Sequence, residues 1–378
     1  MSSTPGPSHG RPPLHAVQVL GSGSAGSGAH VRSLADGLVA RGLRVTVCGS
    51  PVAAERYGFT EAQATFTPLR TGTNALTVAA LRAASEGADV VHAHGLRSGV
   101  LAALALRGRP TPLVVTWHAP VRVAGARSHV VRLMERQAAR AAAVVLGASP
   151  DLVDRARRRG ARDARLAPVA LPAPTSVPEE DENLRDKARA ELGAIARPLL
   201  VTVGRLEPGQ GHGPLLDAAR AWRELDPEPL LVMAGEGGER PRLQRRIEDE
   251  HLPVMLLGSR DDVPELLAAA DVAILPSRWE ARSLLAQEAL HAGVPLVATS
   301  VGGVPDLLGD AAELVPYGDA GALADAVARL LDDPPRRARL VAAGRRQAAS
   351  WPTEDDTVAH VLSVYDELTG GTGDARRR

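Results

Sequence analysis

The sequence predicts an α/β protein made of two doubly wound, Rossmann-like domains facing across a cleft. Three observations support this. Apolar runs bounded by glycine alternate with helix-period segments, the pattern of parallel sheets with crossover helices. A proline-rich, acidic stretch at residues 166–184 interrupts the alternation once, and the pattern then restarts. With 378 residues the chain is long enough for two domains.

In the first half, residues 16–21, 43–49, 89–95, 112–118 and 142–149 read as strands, with helical patterns such as residues 30–42 between them. In the second half, residues 199–205, 230–235, 254–258, 271–277 and 295–300 are the strands. The expected organisation is a disordered tail at 1–13, a first domain at 14–170, a linker at 171–195 and a second domain at 196–355. An amphipathic helix at 356–369 and a disordered tail at 370–378 follow. Doubly wound sheets bind ligands at the carboxyl ends of their strands, so two facing sheets place a ligand in the cleft between them. Closure of the domains around it is expected.

Composition removes several classes of function. The formal net charge is zero, which gives no bulk attraction to nucleic acid. Cys48 is the single cysteine, which excludes an internal disulfide framework and fits a reducing, cytoplasmic compartment. Lys187 is the single lysine and lies in a charged helical stretch. A Walker A loop is therefore absent, and a Schiff-base or pyridoxal phosphate enzyme would lack a pocketed lysine. No run is apolar over the 18 or so residues that would span a bilayer, so membrane contact is expected to be peripheral at most.

PSRWEARSLLAQEAL, residues 276–290, contains Glu280 and Glu288. On one continuous helix they would stand about 12 Å apart, beyond the roughly 5–9.5 Å of hydrolytic carboxylate pairs. Ser283 is a good N-cap, Leu284–His291 reads as helix, and Gly293 with Pro295 ends it. Glu280 then lies in a loop and Glu288 on a helix, beside a helix N-terminus that favours anions. That arrangement suits a ligand carrying both hydroxyls and phosphates.

GSGSAGSGAH, residues 21–30, falls between the first strand and the first helix. Gly21, Gly23 and Gly26 have dinucleotide-fingerprint spacing, but no acidic residue stands at the tip of the second strand. This disfavours a nicotinamide site and leaves phosphate or sugar contact, or plain tight-turn glycines. His92, His94 and His118 come at the ends of two strands, where zinc ligation lacks a nearby carboxylate and ligand contact suits His118 better. His92 and His94 are read as alternating across their strand, so that one of them only caps the core. Arg205, in GRLEPGQG at 204–211, can grip a diphosphate with its planar fork or be a plain surface arginine. VGGVPDL, 301–307, can turn backbone N–H groups to the cleft. Arg132, Arg136 and Arg140 recur every four residues around Val131, Leu133 and Met134, a basic face that is either merely solvated or rests on anionic lipid.

These motifs together resemble the retaining glycosyltransferases of family 4, which have the GT-B fold, over residues 15–369. The likeness rests on GRL at 204–206, AGEG at 234–237, DVAILPS at 271–277, the Glu280 to Glu288 spacing, VGGVPDL and the glycine-rich first turn. It implies a metal-independent, retaining transferase that needs no cofactor and takes a sugar from a nucleotide diphosphate donor held by the second domain. It also implies that Glu288 holds the ribose hydroxyls, that Arg205 grips the diphosphate, and that Glu280, Ser283 and Leu284 lie near sugar or phosphate. By the same matching, Gly26 approaches the diphosphate and His118 contacts the sugar. The acceptor, a glycolipid, glycan or small metabolite, would be held by the first domain.

Two departures from the family bear on activity. Gln210 stands where members usually carry a lysine, and EARSLL, 280–285, replaces the common Glu-Gly-Phe-Gly-Leu-Pro. Losing one cation beside a leaving diphosphate costs about 3–4 kcal/mol of transition-state stabilisation on the scale of an oxyanion-hole donor. Arg282 either restores that charge or selects a different donor. The alternative reading is accordingly a weakened or inactive nucleotide-sugar or partner-binding protein on the same fold, and a third is a sugar-nucleotide epimerase.

Overall fold

The structure is a computed structural model. It describes the chain apart from residues 1–12, 22–24, 71, 122, 124, 126, 168, 171–181 and 376–378. Residues 1–12 of the expected N-terminal tail and 171–181 of the expected linker therefore lie outside the described residues. The chain forms two compact units. Unit 1 comprises residues 1–148, 152–171 and 352–378, and unit 2 comprises 149–151 and 172–351.

Unit 1 begins with β1 (His15–Leu20), α1 (Ala25–Ala40), β2 (Arg44–Gly49), α2 (Pro51–Tyr57), β3 (Thr65–Pro68) and α3 (Ala75–Ala84). It continues with β4 (Val90–His94), α4 (Leu96–Ala105), β5 (Leu113–Trp117), α5 (Arg127–Ala141), β6 (Val144–Gly147), α6 (Pro150–Arg158) and β7 (Ala164–Leu166). The sheet is parallel, in the order β3-β2-β1-β4-β5-β6-β7. Its direction of winding reverses between β1 and β4, the switch point where such sheets bind ligands. The five predicted strands are all present. The edge strands β3 and β7 escape the sequence pattern because they are short and only partly buried, so neither carries an apolar run. Helix α1 starts five residues before the predicted segment, which draws Gly26 and Gly28 into its first turns.

Unit 2 contains α7 (Glu182–Glu191), β8 (Leu199–Val203), α8 (His212–Trp222), β9 (Leu230–Ala234), α9 (Arg240–Asp249), β10 (Val254–Gly258) and α10 (Val263–Ala269). After these come β11 (Val272–Leu275), α11 (Leu284–His291), β12 (Leu296–Thr299), α12 (Val304–Leu308), β13 (Glu313–Val315), α13 (Ala320–Asp332) and α14 (Pro334–Ala349). The sheet order is β10-β9-β8-β11-β12-β13, again parallel, with its switch point between β8 and β11. Two apolar clusters, one on each face of the sheet, form the core. Helix α7 occupies a stretch read as linker. It is tied to the sheet by Arg189, whose Nη1 donates to Asp271 at 3.0 Å and to the Ala269 carbonyl at 2.9 Å.

Helix α15 (Glu354–Ala375) runs past residue 369 into the expected tail, over Gly370 and Gly371, at a cost of about 1 kcal/mol for each glycine relative to alanine. It belongs to unit 1, where Val358, Val361, Val364 and Tyr365 complete the core under α1. A β-carbon on Gly37 of α1 would come within 2.5 Å of Val358, so the two helices meet at closest approach there. Among the described residues no helix is long and apolar enough to cross a membrane.

Candidate active site

In unit 2 the site forms where β8 and β11 end. The loop after β8 carries Arg205, which is exposed, and Gln210, which is half-buried. His212, at the first turn of α8, is held neutral by burial, and its Nε2 lies 3.0 Å from the Arg205 carbonyl, so the ring donates and pins the loop. Gly211 has φ +79°, and a β-carbon there would stand 1.8 Å from the Pro276 carbonyl. Only glycine lets α8 start this close to the end of β11.

Ser277 follows β11 and is buried, with its carbonyl fixed by the Thr299 hydroxyl at 2.6 Å. Its own hydroxyl lies 3.5 Å from Gln210 Oε1 and also hydrogen-bonds Glu280. One hydroxyl has one proton, so Gln210 and Glu280 compete for it. Burial pushes the Glu280 carboxyl up from its usual range, while Ser277 and the charge of Arg205 pull it back down. Ser277 lies 67 positions beyond Gln210 in the sequence, and the switch point brings the two loops together. The reading of the sequence passed over Ser277 as a participant and His212 altogether. A small polar residue closing an apolar strand was the available signal for the first.

Ser283 caps α11 as expected and accepts from the Ala286 N–H at 3.3 Å. The helix spans Leu284–His291 as predicted. Leu284 is exposed at its first turn, where N–H groups have no partner within the helix. Glu288 is half-buried on the same helix, and burial raises its carboxyl. The VGGVPDL segment turns out to support the Glu280 loop, since Gly303 N–H donates to the Glu280 carbonyl at 2.8 Å. Arg282 does not enter this group. Its Nη2 donates to Gln287 at 3.3 Å, its guanidinium sits 5.7 Å from the Trp351 ring, and burial lowers it to about 10. Among the charges acting on Glu280, Arg205 counts and Arg282 does not.

In unit 1, Gly26 lies in the first turn of α1 with open space at its β-carbon position, and Gly23 lies outside the described residues. His118 follows β5 and is partly exposed. His92 and His94 do not alternate across β4. Residues two apart share a face, and both rings are buried and stacked at 4.3 Å. His94 Nδ1 lies 3.3 Å from His118 Nε2, and His30 of α1 packs edge-on to both rings. Burial holds His30 at about 4 and His118 at about 3, and keeps His92 and His94 well below their usual range. The nitrogens of His92 and His94 are taken by one another's neighbours, Gln18, Thr116, His118 and Tyr365. Polar Gln18 inside the buried strand HAVQVL was a signal for this network, and it went unread.

A cavity of about 230 Å³ opens at the carboxyl ends of β1 and β2 and the start of α4. Gly21, Ser50, Arg70, Arg97 and Ser98 line it. The Ser98 hydroxyl is buried and has no hydrogen-bond partner among the described residues.

Residues 25–172 match the glycosyl transferase 4-like domain and residues 185–347 match the model described as glycosyl transferases group 1. The D-inositol 3-phosphate glycosyltransferase of Salinispora arenicola is 31% identical over 334 residues, covering 79% of this chain and 74% of that protein. The chain belongs to the group 1 glycosyltransferases. The α-D-kanosaminyltransferase of Streptomyces kanamyceticus is 31% identical to this glycosyltransferase over 249 residues, 64% of this chain and 63% of that protein. Among solved structures, Anabaena HepE in complex with UDP-glucose has a TM-score of 0.79 at 21% identity, covering 93% of this chain and all of the other. WaaG, a glycosyltransferase of lipopolysaccharide biosynthesis, has a TM-score of 0.67 at 19% identity, over 94% of this chain. These likenesses establish the GT-B fold.

Proposed function

We propose that this glycosyltransferase transfers a sugar from a nucleotide diphosphate sugar with retention of configuration and without a metal or other cofactor. The observation that carries this reading is the convergence of Arg205, Ser277 and Glu280 at the ends of β8 and β11, with the capped N-terminus of α11 following in the same loop. Arg205 donates to the diphosphate through its fork, and the free N–H groups of Ser283 and Leu284 face its charge. The ribose hydroxyls donate to the Glu288 carboxylate. Glu280 and His118 orient the sugar, and Gly26 leaves room for the backbone of α1 to approach a phosphate. As the glycosidic bond breaks, charge develops on the leaving diphosphate, where Arg205 and the helix terminus stabilise it. The leaving phosphate takes the acceptor's proton on the same face of the sugar, which gives retention.

The acceptor binds in the cavity between Gly21, Arg70 and Ser98. Two arginines and a free hydroxyl suit a small polyol that carries an anionic group. The D-inositol 3-phosphate glycosyltransferases among the relatives support the same class.

A second reading follows from Gln210. The loop has no lysine beside Arg205, and Arg282 is turned toward Gln287 and Trp351, so the leaving group meets less positive charge than the family pattern supplies. A slow transferase or a binding protein would result. The deciding experiment is calorimetric titration with UDP, GDP and ADP and their sugars, followed by product analysis with inositol phosphate as acceptor. Binding of one nucleotide with turnover of its sugar to an α-linked product, unaffected by EDTA, supports the transferase. Binding without turnover supports the second reading, and binding of none overturns both.

A further inference from the structure

Five hydrogen bonds in unit 1 run in a single chain from His118 to Thr116. His118 Nε2 meets His94 Nδ1 at 3.3 Å, and His94 Nε2 meets Gln18 Oε1 at 2.8 Å. Gln18 Nε2 donates to the Tyr365 hydroxyl at 2.8 Å. That hydroxyl lies 2.7 Å from His92 Nδ1, and His92 Nε2 lies 2.6 Å from Thr116 Oγ1. A neutral imidazole donates through one nitrogen and accepts through the other, so the roles along the chain depend on one another. Gln18 sets them. Its amide oxygen can only accept, so His94 carries its proton on Nε2. His94 Nδ1 is then the acceptor, and His118 must donate to it from Nε2. In the other direction, the Tyr365 hydroxyl accepts from Gln18 and donates its one proton to His92 Nδ1, while His92 donates from Nε2 to Thr116. Each of the five contacts then has one donor and one acceptor. Burial keeps the rings neutral, so no imidazolium disturbs the order.

We propose that Tyr365, on the helix that returns to unit 1, is a positioning residue for His118. Through Gln18 and His94 it holds His118 as the Nε2–H tautomer, which leaves Nδ1 free to accept a hydroxyl hydrogen from the bound sugar. The proposal rests on the reading that His118 contacts the sugar. Tyr365 stands 347 positions from Gln18, and its ring is fully buried, with Val358, Val361 and Val364 of the same helix in the same core. The helix thus does more than cover the sheet, because its one buried phenol accepts from the Gln18 amide and holds it with its oxygen toward His94. Reversal of Gln18 would reverse every donor in the chain and present Nδ1–H instead, turning an acceptor into a donor.

The test uses the full chain labelled with 15N in histidine, with the His118 signals assigned by their loss in His118→Gln. Long-range proton–nitrogen correlation reads each tautomer directly. The expected spectrum shows His118 and His94 as pure Nε2–H forms. In Tyr365→Phe, which keeps the ring and removes the hydroxyl, both should become tautomer mixtures. Gln18→Leu should do the same with Tyr365 intact, which guards against a folding defect in either variant. Affinities for UDP-glucose and GDP-mannose, with UDP and GDP as sugar-free controls, give the functional arm. The advantage of the sugar nucleotide over its control should fall about tenfold in Tyr365→Phe, the size of one lost hydrogen bond, with the control unchanged. A His118 Nδ1–H form in the wild type, or a His118 spectrum indifferent to both variants, overturns the positioning role. Tautomers that shift as expected while sugar affinity stays constant overturn the His118–sugar contact and leave the hydrogen-bond chain standing.

Discussion

The Gly303 N–H donates to the carbonyl of Glu280 at 2.8 Å, so the loop after β12 holds the backbone of the residue expected beside the sugar. Its neighbour Gly302 has φ +55°, and a β-carbon there would stand 2.2 Å from the same carbonyl oxygen. Gly302→Ala should therefore move the Glu280 loop. We expect a loss of about 1–3 kcal/mol in the stability of unit 2, read by thermal unfolding. Donor affinity should fall as well, and full affinity in the variant would show that the Glu280 loop does not carry the donor.

Glu288 and Arg205 are expected to hold opposite ends of the donor nucleotide. Glu288→Ala and Arg205→Ala each remove a charged partner worth about 1.5–3 kcal/mol, so nucleotide Kd should rise roughly ten- to a hundredfold in titration calorimetry. Neither variant should unfold, since Arg205 is exposed and Glu288 is only half-buried.

Gln210 lies within 3.5 Å of the Ser277 hydroxyl, in the loop that carries Arg205. Gln210→Lys would add a cation beside the leaving diphosphate. Turnover should rise by about a hundred- to a thousandfold, with little change in nucleotide affinity. No gain would mean that Arg205 and the α11 terminus already supply the stabilisation.

Helix α5 presents Val130 and Leu133 to solvent, 59% and 66% exposed, next to the exposed Arg132 and Arg136. Its remaining apolar residues, Val131 and Met134, pack on Leu96 and Val100, and Glu135 is buried between Arg155 and Arg159. The exposed face should dock on anionic vesicles. Cosedimentation with phosphatidylglycerol vesicles is expected to be salt-sensitive and to be lost in Val130→Asp/Leu133→Asp. Equal binding to neutral vesicles would contradict this.

Three buried histidines and the partly buried His118 make unit 1 sensitive to acid. His30 and His118 are depressed to about 4 and about 3, and His92 and His94 are well below their ordinary value. Between pH 6.5 and these values the unfolded chain binds more protons than the folded one. The stability they contribute is therefore complete above about pH 6.5 and is lost as pH falls, by up to about 1.4 kcal/mol per pH unit for each ring. Glu280 and Glu288 are raised and act in the opposite sense in unit 2. Hydrogen exchange should show protection of β1, β4 and β5 declining from pH 6.5 to 5 before that of β8 and β11. His30→Phe should flatten the decline.

Local pattern settled much of this protein. Ten of the thirteen strands, the boundaries of α11 and its Ser283 cap were legible because apolar runs and a short polar cap act within a few residues of themselves. The proposed donor-site residues came from spacing and family likeness, since each sits at a strand end or on a helix that the pattern already marks. The tertiary structure decided what depends on distant partners. It gave β3, β7 and β13 their places, because short edge strands are defined by a neighbour's hydrogen bonds and carry little pattern of their own. It turned Arg282 toward Gln287 and Trp351, and it made VGGVPDL a support for Glu280. It also joined Gln18, His94 and Tyr365, because the direction of a buried hydrogen bond is set by whichever residue the folded chain brings opposite, and that residue lay 347 positions away.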